Sequence, residues 1–199
     1  HVSTKSFNVP ELYGRRAKKV IFLNNGFCPT LHRPITMKNQ VRSRVGGPVG
    51  FVGAFEHQRA EAILELGKSG IPVRVYGGGW EKWSRGRNEI NVQCELRHVW
   101  GEEYVQVLNS FDISLGFLRK LNRDVQTTRS VEIPACGAFM LAERSTEHQQ
   151  LFAEGVEAEY FSSIDELVRK CKYYLAHPEE RNTIADAGRR RCLMSDYSW

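Results

Sequence analysis

The hydrophobic pattern of this chain switches repeatedly between two periods, and that alternation constrains the fold more than any other feature. Short apolar runs of strand type are followed by segments in which apolar residues recur every three or four positions. Val49 to Gly53 is one such run. Ala60, Ile63, Leu64 and Gly67 then lie at i, i+3, i+4 and i+7 of a helix, with Gly70 placed to end it. Ile71 to Tyr76 is the next strand, and residues 77–98 form a long excursion containing Gly and Trp, with a short strand around Val92 or Leu96. Glu102 to Ser110 predicts a helix buried through Tyr104, Val105 and Leu108, followed by the strand Phe111 to Phe117. A short helix over Thr128 to Cys136, a strand over Ala138 to Ala142, a helix from Ser145 to Glu154 stopped at Gly155, and a strand from Val156 to Phe161 continue the series. Ser163 and Glu166 form an S-x-x-E capping box that opens an amphipathic helix through Ile164, Leu167, Val168, Cys171 and Tyr174. Pro178 opens one more helix where its missing N–H costs little.

Strands alternating with helices this many times imply right-handed βαβ crossovers. The expected class is therefore α/β, a Rossmann-like parallel sheet with helices on both faces. Ahead of it, Val20-Ile21-Phe22-Leu23 is strand-like and breaks at Asn24-Asn25-Gly26. Residues 31–47 are polar, carry Pro34 and Gly46-Gly47-Pro48, and read as a linker. The expected division is an N-terminal segment and linker over 1–47 and the α/β domain over 48–199.

Composition narrows the class further. A chain of 199 residues suits one domain and buries enough surface to need no disulfide or metal staple. Its five cysteines are far apart and include no CxxC pair, so they read as reduced and structural. No apolar run approaches the ~18 residues of a membrane span, and no basic-then-apolar leader opens the chain. A cytoplasmic location is the expectation. The net charge of +5 fits an anionic ligand, an acidic membrane surface or nucleic acid. Arg189-Arg190-Arg191, the one basic run, reads as a solvated helix face.

Ligands of open parallel sheets bind beyond the C-terminal ends of the strands, so chemistry is expected after residues 53, 76, 117 and 142. The loop Gly53 to Arg59 leaves a strand through glycine and enters a helix. Its amides and Arg59 suit a phosphate, although a tight turn with a surface arginine explains the same residues. Gly77-Gly78-Gly79-Trp80 permits close approach of a ligand or serves as a plain turn, and it matches neither a Walker A loop nor G-x-G-x-x-G. Trp80 and Trp83 either stack on a base or cover the sheet.

The third loop, Phe117 to Thr128, is long, basic and polar. It leads to a short helix with Thr127 or Thr128 as N-cap and Arg129 in its first turn. Glu132 lies in that helix among Val131, Ile133, Pro134 and Ala135, and a carboxylate in such company must be paired, bonded to a ligand or protonated. A ribose diol would satisfy it, and so would an ion pair with Arg129 three residues earlier.

Residues Arg129-Ser-Val-Glu132-Ile-Pro-Ala-Cys-Gly137-Ala-Phe-Met-Leu-Ala resemble the donor-site signature of GT-B glycosyltransferases of the family 1 and family 4 type, the CgeB-like group most of all. The likeness extends in order through Leu31-His-Arg-Pro34, Gly50-Phe-Val-Gly53 with Arg59, Gly77 to Trp80, and Leu175-Ala-His-Pro-Glu-Glu-Arg181 to Gly188. The wider family motif is two acids separated by seven residues. Asp124 and Glu132 have that spacing, with Asp where the family usually carries Glu.

The resemblance implies a nucleotide-diphosphate sugar as donor substrate, with no further cofactor, and no metal is expected because the sequence shows no metal-ligand cluster. Glu132 would hold the nucleotide ribose, Asp124 would face the sugar hydroxyls, Arg59 would oppose the diphosphate, and the amides of Thr128, Arg129 and Ser130 would cradle it. Gly53, Gly78 and Asn122 complete the implied donor-binding set, with Asp124 and Arg59 as the residues acting in transfer. The family's Arg and Lys pair is only partly matched after Gly53, so Arg119, Lys120 or Arg123 would supply the second cation. Retaining, front-face transfer without a protein nucleophile follows from the same likeness, arginines and a helix dipole standing in for Mg²⁺ at the leaving group.

GT-B enzymes pair an N-terminal acceptor domain with a C-terminal donor domain, and this chain resembles only the donor half, with Val2 to Thr30 matching the region before the crossover. The expectation is a fragment that binds donor and is inactive alone, its partners being the nucleotide sugar and the missing acceptor domain. A noncatalytic nucleotide-binding interaction domain and a basic nucleic-acid-binding module are the alternatives. The second has no recognised nucleic-acid motif behind it.

Overall fold

The computed structural model describes residues 1–87 and 91–199. Residues 88–90 of the expected 77–98 excursion lie outside that description. In chain order the elements are β1 (Val2–Ser3), α1 (Asn8–Gly14), β2 (Ile21–Phe22), α2 (Asn39–Val45), β3 (Gly47–Val52) and α3 (His57–Lys68). There follow β4 (Val73–Tyr76), α4 (Glu81–Ser84), β5 (Val92–Cys94), α5 (Gly101–Asn109), β6 (Phe111–Gly116) and a 3-10 turn (Lys120–Asn122). The chain ends with α6 (Arg129–Ala135), β7 (Met140–Glu143), α7 (Thr146–Leu151), β8 (Glu159–Phe161), α8 (Ile164–Ala176) and α9 (Pro178–Met194).

Six strands form one parallel sheet in the order β5-β4-β3-β6-β7-β8. Side chains of a strand alternate between its faces, and the core divides accordingly. Val49, Phe51, Val73, Val75, Ile113, Leu115 and Leu141 face α3 and α8, meeting Ile63, Leu66, Leu167 and Cys171. Val52, Tyr76, Phe111, Met140 and Ala142 belong to the opposite face and pack with Tyr104, Val105 and Leu108 of α5 and Val131 and Ile133 of α6. Both faces of β3 and β6 are therefore covered, although the alternate positions of β6 are the polar or small Asp112, Ser114 and Gly116, and a Cβ at Gly50 of β3 would meet the Phe111 ring at 2.2 Å. In α3 the buried stripe runs through Ala60, Ile63 and Leu66, while the expected Leu64 is only half-buried.

The N-terminal region departs from a plain linker. Residues 39–45 form α2, a helix with no buried residue and so no apolar period to betray it. Arg42 holds it from outside, donating to Asp112 Oδ1 at 2.6 Å, and Tyr76 OH donates to the Val45 carbonyl at 2.7 Å. β1 and β2 pair in parallel as a separate two-stranded sheet, with Ile21, Phe22 and Leu23 exposed. Phe27 is 1% exposed and joins the core. It also ties the chain's far end: its amide donates to the Tyr197 carbonyl at 2.9 Å, and the Trp199 amide donates back at 3.0 Å.

Other expectations shift in detail. The helix after Ser145 is shorter, and the strand before Ser162 begins only at Glu159, because residues 153–158 close a turn in which the Gly155 amide meets the Ala158 carbonyl. The Ser163 cap forms, its Oγ accepting from the Glu166 amide at 3.2 Å. The Glu166 carboxylate reaches back to the Ser162 amide instead of that of Ser163. All five thiols are free; those of Cys136, Cys171 and Cys192 are buried and pushed up to about 12 by burial.

Glu166 also meets Arg144 through two hydrogen bonds of 3.1 Å, and Arg144 binds Glu154 besides. These bonds to Arg144, more than any other influence, bring the Glu166 carboxyl down to about 2. A folded-state value below the unfolded one gives stability that is present above the ordinary carboxylate range and lost as pH falls toward 2. An Arg144→Met variant should accordingly unfold at higher pH than wild type in an acid titration followed by circular dichroism. Coincident acid transitions would count against this assignment.

Candidate functional site

The loops after β3 and β6 part company for a topological reason. From β3 the chain crosses to β4 on one side, whereas from β6 it crosses to β7 on the other, so adjacent strands send their loops in opposite directions and leave a crevice between them. A cavity of about 320 Å³ occupies that crevice. It is lined by Phe51, Val52, Gly53, Ala54 and Arg59 from one side and by Phe117, Arg119, Asn122, Asp124, Thr127 and Arg129 from the other.

Arg59, Gly53, Asn122, Asp124 and Arg129 are thus brought together from the residues singled out in the sequence. Arg59 projects from the first turn of α3 and is 9% exposed. Its Nη1 donates to the Ala54 carbonyl at 3.0 Å, its Nη2 lies 3.5 Å from Glu56, and its guanidinium covers the Phe51 ring. Its Nε is buried with no partner among the described residues. Burial is the main influence on Arg59 and lowers its pKa, against the pull of Glu56. Arg129 is oriented by Nε donating to the Val52 carbonyl at 3.0 Å and by the Tyr104 ring beneath it. Arg119 pairs with Glu56 at 2.9 Å. Of the three candidates for a second cation, Arg119 alone lines the cavity. Lys120 pairs with Glu143 at 3.1 Å, and Arg123 turns away to Glu11 at 2.9 Å.

Gly78, Thr128, Ser130 and Glu132 do not line the cavity, and each has a physical reason. The glycine run is required by packing: Gly77 has φ of +141°, and a Cβ there would sit 2.2 Å from the Gly53 carbonyl oxygen. At Gly78 a Cβ would meet the His98 ring at 2.9 Å. The run ends in Trp80, which is fully buried and donates through Nε1 to the Gly53 carbonyl at 3.0 Å, so it supports the first loop from below. Thr128 precedes α6 without a side-chain cap. Ser130 is spent on the protein: its amide donates to the Thr127 carbonyl, its Oγ accepts from the Thr127 amide, and its hydroxyl meets His148 Nε2 at 2.7 Å. His148 donates through Nδ1 to the Glu143 carbonyl at 2.7 Å, which leaves Nε2 to accept from that hydroxyl. The amides of Thr128 and Arg129 have no acceptor among the described residues.

Glu132 does not pair with Arg129. Its Oε2 accepts from the buried Tyr104 hydroxyl at 2.8 Å, and its Oε1 lies 3.9 Å from His32 Nε2. His32 accepts from the Cys28 amide at Nδ1, and burial lowers its pKa against the opposing influence of Glu132. Tyr104 was legible only as a core position, and His32 only as part of the Leu31 to Pro34 stretch. Lys5, which pairs with Asp124 at 2.9 Å, had no signal at all, because it lies far away in sequence. Among the described residues no three His, Cys, Asp or Glu side chains converge as a metal-binding group, and no helix is long and apolar enough to cross a membrane.

A parallel six-stranded sheet with a cationic crevice at its switch point defines a Rossmann-like domain. The chain belongs to the glycosyl transferase-like family, whose model matches residues 57–199. No curated protein sequence matches it. Among solved structures, HepE of Anabaena, in complex with UDP-glucose, superposes with a TM-score of 0.76 at 15% identity, over 99% of this chain and 59% of that one. Sucrose-phosphate synthase from Thermosynechococcus elongatus gives 0.69 at 16% identity, over 100% of this chain and 54% of that one. The C-terminal domain of LpcC, a glycosyl transferase group 1 family protein from Francisella tularensis, gives 0.66 at 12% identity and is 99% covered, by 87% of this chain. At such identities the likeness is one of fold. The chain spans little more than half the length of HepE or the synthase.

Proposed function

We propose that this chain is the donor-binding half of a nucleotide-sugar-dependent glycosyltransferase, retaining and independent of metal. The observation that carries the reading is the convergence of Arg59, Arg119 and Arg129 on one cavity beside Asp124 and Asn122. A nucleoside diphosphate gains negative charge as the bond to its sugar breaks, and fixed guanidinium groups oppose that charge without rearranging. Arg59 and Arg129 take the diphosphate, with the amides of Thr128 and Arg129 and the second-cation role falling to Arg119. Asp124 and Asn122 take the sugar hydroxyls, and Glu132 offers Oε1 to the ribose. Support for Glu132 comes from its family motif position and from Oε1, which Tyr104 does not engage and which faces His32 at 3.9 Å. The departing phosphate acts as the base in front-face transfer.

The nucleic-acid alternative draws on the basic charge and on the Arg, Lys and Trp content of residues 80–100 and 119–129; of those tryptophans Trp80 is buried and Trp100 is exposed. The chain's extent relative to HepE supports a need for a separate acceptor-binding half, so donor binding without sugar transfer is expected of the chain alone. A thermal-shift panel of UDP, GDP, ADP, TDP and CDP tests the reading. One base should stand out, and a ligand at 100 times its Kd stabilises the native state by about 2.7 kcal/mol. A melting temperature that no nucleotide raises at millimolar concentration would sink the proposal.

A further inference from the structure

The 3-10 turn that carries Asn122 and Asp124 into the cavity is held from outside the α/β domain. Lys5, in the turn between β1 and α1, places Nζ 2.9 Å from Asp124 Oδ1 and also donates to the Asn122 carbonyl. Its neighbours hold it there. The Ser6 amide donates to Glu147 Oε1 at 3.1 Å, and the Lys5 amide donates to Ser3 Oγ at 3.1 Å. Glu11 binds Arg123 at 2.9 Å, while the Arg123 guanidinium lies 4.1 Å over the Phe7 ring. The Lys5 and Asp124 side chains are 25% and 14% exposed, so their pairing is shielded from solvent more than an ordinary surface pair.

The charge balance gives this contact a purpose. A carboxylate lining a cavity meant for a diphosphate repels its ligand unless a cation cancels it. Lys5 takes Asp124 Oδ1, and Asp124 lines the cavity, where its second oxygen can accept from a hydroxyl. We propose that Lys5 is a positioning residue of the donor site: it neutralises Asp124 toward the diphosphate and fixes its carboxylate so that one oxygen faces the donor sugar. The site is then composite, built by the α/β domain and completed by the N-terminal segment. This inference rests on the donor-site reading above.

The probes are UDP and UDP-glucose, titrated calorimetrically into the purified 199-residue chain and into its Lys5→Met, Lys5→Arg and Asp124→Asn variants and the Met/Asn double variant. The informative quantity is the ratio of the two affinities, which loss of an unrelated structural contact would leave alone. Lys5→Met should reduce the preference for UDP-glucose over UDP by about tenfold, and Lys5→Arg should restore most of it. The double variant should be no worse than Asp124→Asn alone, because the two side chains act as one unit. A wild-type ratio in Lys5→Met, or losses that add in the double variant, overturns the role of Lys5 while leaving donor binding intact. Failure of the wild-type chain to bind either probe, or any member of the nucleotide panel with its sugar, overturns the donor-site reading and this inference with it.

Discussion

Arg59→Ala should weaken nucleoside-diphosphate binding by about 2 kcal/mol, roughly 30-fold, with little change in melting temperature. Two features separate the effects. The guanidinium is buried and its Nε has no partner among the described residues, so it carries a desolvation cost that an anionic ligand would offset. Glu56, which it leaves behind, keeps Arg119 at 2.9 Å and is not stranded. Removing the arginine therefore takes away an under-satisfied cation without orphaning its carboxylate. Calorimetric titration with the preferred nucleotide, set beside a thermal melt, reads both quantities. Wild-type affinity in the variant would remove Arg59 from the site, and a collapsed melt would make its role structural.

Trp80→Ala should be the most destabilising single change described here, at about 3–5 kcal/mol, because it empties the volume of a fully buried indole. The ring meets Phe51, Phe55 and Trp83 edge to face, at centroid separations of 6.3, 5.3 and 5.5 Å. For a chain of this size the loss corresponds to a melting point lower by ~10 °C. The Gly53 carbonyl would also lose its donor, so the first loop of the crevice should loosen with the core. Trp80→Phe, which keeps an aromatic ring but no N–H, separates the two contributions. If the alanine variant melts within ~2 °C of wild type, the indole does not support the loop as argued.

The alternation of periods carried the α/β architecture because burial on both sheet faces writes itself into the strands and one stripe of each helix. Where an element buries nothing, as in α2, or spans a single turn, as in α4, no such record exists. The candidate site divides along a similar line. Gly53, Arg59 and Arg129 follow from strand ends and helix starts, Asn122 and Asp124 from the family resemblance, and topology brings the five together. Gly78 lies outside the cavity lining, and because a Cβ there would meet the His98 ring, a glycine required by packing looks, in sequence, like one needed for a ligand. The alternative Arg129–Glu132 pair does not form, for another reason. Spacing of three on a helix permits the contact, yet Val52 and Tyr104 offer those side chains better-placed partners from elsewhere in the fold. Lys5 exposes the limit of local reading, since only the folded chain brings it to Asp124.

The pairing of Phe27 with Tyr197 and Trp199 has a kinetic consequence. Those two hydrogen bonds join a point near the start of the chain to its last residues, enclosing the whole parallel sheet in the intervening loop. Closing so long a loop is entropically costly until the sheet has shortened it, so the clasp should form late, after β3 and β6 have found each other. On unfolding the order reverses. The clasp opens before the sheet does, and the segment that presents Lys5 loosens while the cationic crevice behind it is still intact.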